Sequence, residues 1–164
     1  MNKPVSEPEP PTAADRKVMS GLEYMRRVAG GEKRGAPMVR LLGMRLTEVD
    51  EGRVVLQGEL QREFENGLGI AHGGFAATML DTALSCAVNT VMPAGKIFTT
   101  LEMKVNYVRA VTRQAGVLTC IGTVVHAGKT TAIAEGRIVD AGGKLYAHGT
   151  VTCILFRDLN KEES

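Results

Sequence analysis

The sequence predicts one domain of the α+β class, in which about six antiparallel strands wrap around one long helix. The first observation is the apolar segment 74–91, whose length and alanine content favour a buried helix over a strand. The second is a set of six segments rich in Val, Thr and Ile, separated by glycine-containing turns. The third is the length of 164 residues, which fits one domain with a sizeable core.

Composition excludes several classes of protein. The net charge is only +2, from 20 basic and 18 acidic residues, so nucleic acid is not an expected partner. No run of about 18 apolar residues occurs, so no membrane partner is expected, and the N-terminus lacks the apolar region of a secretory signal. The three cysteines, Cys86, Cys120 and Cys153, form no CxxC pair. We therefore expect reduced, mostly core-filling thiols in a cytoplasmic protein, with no metal site.

The two ends of the chain differ in composition from its centre. Residues 1–15 are rich in proline and are expected to be disordered. Residues 16–37 should form a lead-in helix and a loop, because apolar residues recur at helical spacing over 16–28 before a glycine-containing segment. The main domain is predicted over residues 38–156, followed by a frayed, charged tail at 157–164.

Six strands are predicted, two before the long helix in the sequence and four after it. They span residues 41–49, 53–60, 97–108, 116–127, 130–140 and 144–156. The third strand alternates in polarity, which predicts one apolar and one polar face. The apolar face holds Leu101, Met103, Val105 and Tyr107, and the polar face holds Thr100, Glu102, Lys104 and Asn106.

Asp81 is the only formally charged residue between Glu65 and Lys96. A carboxylate in a helix that is apolar on nearly every side is costly unless it is paired or hydrogen-bonded. It is therefore a candidate functional group. The alternative is an acid on a narrow solvent-facing stripe, or one that caps another segment, and the helix pattern alone does not decide between them.

The start of the helix is the second chemical feature. His72, Gly73 and Gly74 precede or open it, where the first N–H groups lack helical partners and can polarise a carbonyl. The alternative is a simple glycine-rich turn. Gly73 and Asp81 are eight residues apart, or about 12 Å at about 1.5 Å per residue. One carbonyl cannot contact both, so a joint role predicts a dimer in which each site takes one group from each chain.

These residues resemble a known family. The segment 66–74 reads Asn-Gly-Leu-Gly-Ile-Ala-His-Gly-Gly, and Asp81 follows His72 by nine residues. This spacing resembles the hotdog-fold acyl-CoA thioesterases of the PaaI-like, phenylacetic-acid-degradation type, over about residues 38–156, and the strand 99–107 also matches. The resemblance implies an antiparallel sheet around one long helix, hydrolysis of an acyl-CoA thioester without a cofactor, and a homodimer assembled into a homotetramer.

The resemblance also implies residue roles. Asp81 would be the general base or the nucleophile, and the amide of Gly73 would polarise the thioester carbonyl. Asn66 and His72 would orient the thioester and the water, and Thr100 would bind the attacking water. The substrate and its CoA portion would meet Gly74, Tyr107, Arg109, Gly128, Lys129 and Thr130. Arg109 and Lys129 would supply positive charge, although both also fit ordinary solvated basic residues.

Two other functions remain open at this point. One is a non-catalytic acyl-CoA-binding or regulatory protein on the same fold, because a fold hosts more than one function. A costly buried carboxylate in Asp81 argues against a pure binder. The other is a dehydratase, which would need a catalytic histidine in a different loop context. The acyl group itself is open between aryl-acetyl, hydroxy-aryl and medium-chain fatty acyl groups.

Overall fold

The computed structural model describes residues 13–158, in which six strands form one antiparallel sheet of order β1-β2-β4-β5-β6-β3. This confirms the predicted α+β architecture. The strands are β1 Arg45–Asp50, β2 Arg53–Glu59, β3 Lys96–Tyr107, β4 Val117–Ala127, β5 Thr131–Val139 and β6 Leu145–Asp158. The helices are α1 Ala13–Val18, α2 Gly21–Ala29, α3 Pro37–Leu41 and α4 Gly73–Thr90, with short 3-10 turns at Arg62–Phe64 and Arg113–Ala115.

Helix α4 is the predicted long apolar helix, and it packs on the sheet. Its fully buried side chains include Leu80 and Leu84, which join the core formed by the sheet. Glycines on the strands allow the helix to approach closely. A Cβ at Gly122 of β4 would lie 2.6 Å from the carbonyl oxygen of Ala83, and one at Gly136 of β5 would lie 2.6 Å from Leu84 Cδ1. These contacts fix the position of α4, and with it the position of Asp81.

The N-terminal segment differs from the predicted single helix. It forms α1 and α2, because the Ser20 side chain accepts a hydrogen bond from the Glu23 N–H at 3.3 Å and so begins a new helix. Residues 13–15, which were expected to be disordered, lie in α1. Residues 1–12 and 159–164 lie outside the described part, so the expectations for them stay predictions.

Helix α3 was not predicted, and it replaces the start of the first predicted strand. Pro37 lies in its first turn, where the missing N–H of proline costs nothing. The chain therefore enters β1 only at Arg45, four residues later than the strand predicted from residue 41. The three short helices dock on the sheet domain. One bond runs from the Gly21 N–H to the Met92 carbonyl at 3.0 Å, and another from the Gly95 N–H to the Arg16 carbonyl at 2.8 Å.

Strand β3 departs from the predicted alternation because it contains a bulge. Its register against β6 shifts between Thr100 and Glu102, so the extra residue Leu101 is left 62% exposed. Thr100 faces α4, and Met103 packs against the core from the same side. The prediction that Thr100 and Met103 lie on opposite faces, with Leu101 on the apolar one, is wrong. One extra residue in a strand exchanges the faces on which the following side chains lie, and the polarity of the residues gives no sign of such an insertion.

Strand β3 also forms one edge of the sheet. Within residues 13–158 it pairs only with β6, although it is 12 residues long. Its exposed apolar side chains include Leu101 and Tyr107. A long edge strand with exposed apolar residues is a ready surface for pairing with another chain. No helix of the described part is both long and apolar enough to cross a membrane.

Candidate active site

Asp81 lies on α4 within a short chain of hydroxyl groups. The Thr100 hydroxyl of β3 donates to Asp81 Oδ1 at 2.9 Å. The Ser85 Oγ, one turn further along α4, lies 3.3 Å from Thr100 Oγ1. Thr100 has a single hydroxyl proton and gives it to the carboxylate, so the Ser85 hydroxyl is the donor in the second bond. The acid is thus hydrogen-bonded and oriented, and the hydrogen bond offsets the desolvation cost of its half-buried position.

The structure adds a partner for Thr100. Its hydroxyl bonds directly to the carboxylate of Asp81, and the contact with an attacking water that the family resemblance implies stays a prediction. Ser85 was not predicted as a site residue. Its spacing of four residues from Asp81 places both on one side of the helix, and this was the available signal. Only the tertiary contact with β3 shows that its hydroxyl reaches Thr100.

Asp81 faces a cavity of about 670 Å³ that lies between α4 and the N-terminal helices. Met25 of α2 and Phe98 of β3 contribute apolar surface to it. Of the described residues that line it, Asp81 is the only acid. The volume falls within the range of small-molecule sites, which are apolar clefts with a few placed polar groups. The cavity therefore combines apolar surface with one oriented carboxylate and three arginines, Arg16, Arg40 and Arg45.

Two thiols lie near this carboxylate, and both are held in the neutral form. Burial and the charge of Asp81 together raise the pKa of Cys86 to about 12. Burial also raises the pKa of Cys153. A thiol is a poor nucleophile compared with its thiolate. The cysteines are free, as expected.

The start of α4 holds one unused donor. His72 is the N-cap, and its Nδ1 accepts a hydrogen bond from the Gly74 N–H at 3.1 Å. Tyr107 donates its hydroxyl to the Gly73 carbonyl at 3.1 Å. Within residues 13–158, no group accepts a hydrogen bond from the Gly73 N–H. The amide that the sequence nominated is therefore the one available to a substrate, whereas the amide of Gly74 is already engaged.

Asn66 has a local structural role in the single chain. Its side-chain oxygen accepts a hydrogen bond from the Leu68 N–H at 2.9 Å, which forms an Asx turn. Its own N–H donates to the Ile70 carbonyl at 2.8 Å and closes the loop 66–69. Contact with a thioester stays a prediction for this residue.

A second cavity, of about 320 Å³, lies at the start of α4. It brings together four of the predicted residues, His72, Gly73, Tyr107 and Arg109. The Arg109 guanidinium donates to the Leu145 carbonyl at 2.6 Å and lies 5.8 Å from the centre of the Tyr146 ring. These contacts hold one positive charge at the edge of a pocket that ends on the free Gly73 amide.

The predicted residues 128–130 lie elsewhere in the single chain. They form the β4–β5 turn, and β5 starts beside Ile154, which pairs with Thr99 near the start of β3. Tyr107 ends the same strand eight residues later, about 26 Å away at about 3.3 Å per residue. One protomer therefore does not unite Lys129 with Arg109.

Comparison with known proteins identifies similar chains. The family model described as the thioesterase superfamily matches residues 68–147, which include the start of α4, Asp81 and Thr100. A 1,4-dihydroxy-2-naphthoyl-CoA hydrolase of Listeria monocytogenes is 28% identical over 104 residues, which cover 63% of this chain and 83% of that protein.

Solved structures show the same fold. A phenylacetic acid degradation-related protein of Ralstonia eutropha has a TM-score of 0.73 and 25% identity, over 80% of this chain and 98% of that one. The PaaI protein of Escherichia coli has a TM-score of 0.73 over 85% of this chain and 98% of that one; at 23% identity it bears on the fold alone.

The long helix wrapped by a six-stranded antiparallel sheet has the hotdog fold of these solved thioesterase-like structures. The match to the thioesterase superfamily model and these solved structures confirm the predicted resemblance to the PaaI-like thioesterases.

Proposed function

We propose that this protein hydrolyses acyl-CoA thioesters to a free carboxylic acid and CoA, with Asp81 as the general base or the nucleophile. The observation that carries the proposal is the bond from Thr100 to Asp81, which orients a lone acid towards a cavity of about 670 Å³. A thioester is reactive enough to need no metal, and a positioned carboxylate contributes about 10²- to 10⁴-fold. The named activity of the Listeria relative supports a CoA ester as substrate.

The carbonyl would be polarised by the Gly73 amide. This N–H opens α4, where the helix dipole adds partial positive charge. Negative charge develops on the carbonyl oxygen as water or the carboxylate attacks, and a fixed donor stabilises it. His72 accepts a bond from the neighbouring Gly74 amide and so holds the first turn in place. The cavity lined by Gly73, Tyr107 and Arg109 would receive the pantetheine arm and the anionic part of CoA.

The two halves of this chemistry would come from two subunits. Within one chain the free amide and the acid line different cavities and are separated by about 12 Å of helix. Strand β3 is an exposed edge, and a two-fold pairing of this edge would be antiparallel. Such a pairing brings the Gly73 end of one chain towards the partner subunit's Asp81, and Lys129 of the partner towards Arg109. We therefore propose a homodimer, assembled further into a homotetramer.

The activity is tested on the purified protein with a panel of aryl- and alkyl-CoA esters and a reagent that reports free thiol. Hydrolysis by the wild type, with a loss of about 10²-fold or more in Asp81→Asn, is expected. Equal rates for the variant and the wild type would remove Asp81 from the mechanism. Tight binding of CoA esters without turnover would instead favour the acyl-CoA-binding alternative.

A further inference from the structure

We propose that Tyr24 of α2 forms the end wall of the compartment that receives the acyl group, and that it limits the length of acyl chain the protein accepts. The inference rests on the proposed function, because it concerns the same thioester substrate. It goes beyond the family, since Tyr24 lies in the N-terminal segment, outside the residues 68–147 that match the family model.

The compartment runs along one side of α4. Asp81, Ser85 and Asn89 all line the cavity of about 670 Å³ and follow one another at intervals of four residues. The stripe from Asp81 to Asn89 spans eight residues, or about 12 Å of helix. An acyl chain whose carbonyl lies at Asp81 would therefore extend towards the C-terminal end of α4, beneath the N-terminal helices.

A third, much smaller cavity lies beyond the Asn89 end of this compartment. This cavity of about 20 Å³ is lined by Met19 and Met92, among others. Three residues line both cavities: Arg16, Tyr24 and Asn89. Residues common to two adjacent cavities stand between them, so these three form the partition. Arg16 is exposed and Tyr24 is half-buried, so the phenol ring is the bulkiest inward part of this partition.

Tyr24 is held firmly in this position. Its hydroxyl donates to the Arg34 carbonyl at 3.3 Å, which ties the ring to the loop after α2. The start of α2 lies directly against the end of α4. A Cβ at Gly21 would lie 1.7 Å from the Asn89 carbonyl oxygen, and the Gly21 N–H donates to the Met92 carbonyl at 3.0 Å. The contacts of α2 with α4 keep the ring at this end of the cavity even without the hydroxyl bond.

Part of the lining fits a hydrocarbon chain. Met25 and Val28 of α2 and Phe98 of β3 supply apolar surface, and the same cavity is also lined by Arg16, Arg40 and Arg45. Each methylene that enters such a lining improves binding about fourfold. The gain ends where the chain meets the phenol ring, because a longer chain must then displace packed atoms.

The test is a series of straight-chain acyl-CoA esters that differ by single methylenes, with kcat/KM measured for the wild type and for variants. In Tyr24→Ala the optimum should move to longer chains, and the newly accepted esters should gain about fourfold for each methylene buried. Tyr24→Phe keeps the ring and should keep the wild-type optimum. Val18→Ala alters an 80% exposed residue of the same segment and should leave the profile unchanged.

Two further measurements keep the outcome decisive. Tyr24→Leu shortens the side chain but retains apolar contacts, and thermal unfolding identifies which variants are folded. An unchanged chain-length optimum in a folded Tyr24→Ala or Tyr24→Leu protein overturns the proposal. Dissociation constants for the same series, measured by calorimetry with Asp81→Asn, separate it from the proposed function. If the wild type hydrolyses no ester, that function fails, while the length dependence of these constants still decides the role of Tyr24.

Discussion

Replacement of Gly73 by proline removes one proposed catalytic donor and little else. Gly73 is the first residue of α4, a position that proline favours because the N–H there has no helical partner. The preceding residue, His72, has φ −60° and ψ 137°, which is the extended conformation that proline requires before it. The Gly73 carbonyl remains available to the Tyr107 hydroxyl. The backbone of the helix start therefore accepts Gly73→Pro.

Gly73→Ala is the matched control. A Cβ at Gly73 would lie 3.3 Å from the Tyr107 hydroxyl, so both variants introduce the same tight contact. Only the proline variant loses the N–H. The loss of one oxyanion donor lowers the rate of acyl transfer by about 10²- to 10³-fold. The ratio of the two variants should therefore be about 10² or more in kcat.

The assay is the release of free CoA from the best acyl-CoA ester, with circular dichroism and thermal unfolding as checks on the fold. We expect Gly73→Ala to retain activity near that of the wild type and Gly73→Pro to lose it while it stays folded. Equal activity of folded Gly73→Pro and Gly73→Ala would refute the assignment of the amide as the carbonyl-polarising group.

Three other changes test the surrounding structure. Thr100→Val removes the hydroxyl that donates to Asp81 at 2.9 Å; hydrogen bonds to charged groups contribute about 1.5–3 kcal/mol, so kcat/KM should fall about 10- to 150-fold. Thr100→Ser should restore most of it, and a fall of under twofold in folded Thr100→Val would contradict the role. Burial raises the pKa of Cys86 to about 12, above its value in the unfolded chain. Above about pH 9 the folded state then binds more protons than the unfolded state, so the free energy of unfolding should fall as pH rises. In denaturant titrations, Cys86→Ala should reduce this slope by up to about 1.4 kcal/mol per pH unit. An identical slope in the variant and the wild type would contradict this. Gly122→Ala places a Cβ 2.6 Å from the Ala83 carbonyl oxygen, so the free energy of unfolding measured in urea should fall by about 1–3 kcal/mol. Unchanged stability would show that close contact between α4 and β4 is not required.

The central fold was predictable because two periodicities dominate the sequence. The unbroken apolar segment around Asp81 fits a buried helix, and the observed α4 begins one residue before the prediction and ends one residue before it. The turn at Gly52, which has φ +74°, joins β1 and β2 as expected. These features depend on local composition, so one sequence contains enough information for them.

Tertiary contacts decide the parts that were not predictable. The bulge at Leu101 leaves no mark in residue polarity, yet it turns Thr100 towards Asp81. The break between α1 and α2 depends on the side-chain cap at Ser20 and on the seating of Gly21 against α4. The compartment beside Asp81 exists only because that N-terminal segment docks on α4. The helical spacing of apolar residues over 16–28 predicts a face that packs, but not the surface on which it packs.

The claim that each site takes its two halves from different subunits is tested most directly by mixing two inactive variants. Asp81→Asn retains Gly73, and Gly73→Pro retains Asp81, so a heterodimer contains one intact site if the two groups meet across the interface. Random reassociation should then restore about a quarter of the wild-type activity, because half of the dimers carry one working site of two. If the mixture stays as inactive as its separate components while heterodimers demonstrably form, each chain holds its own complete site and the account is wrong.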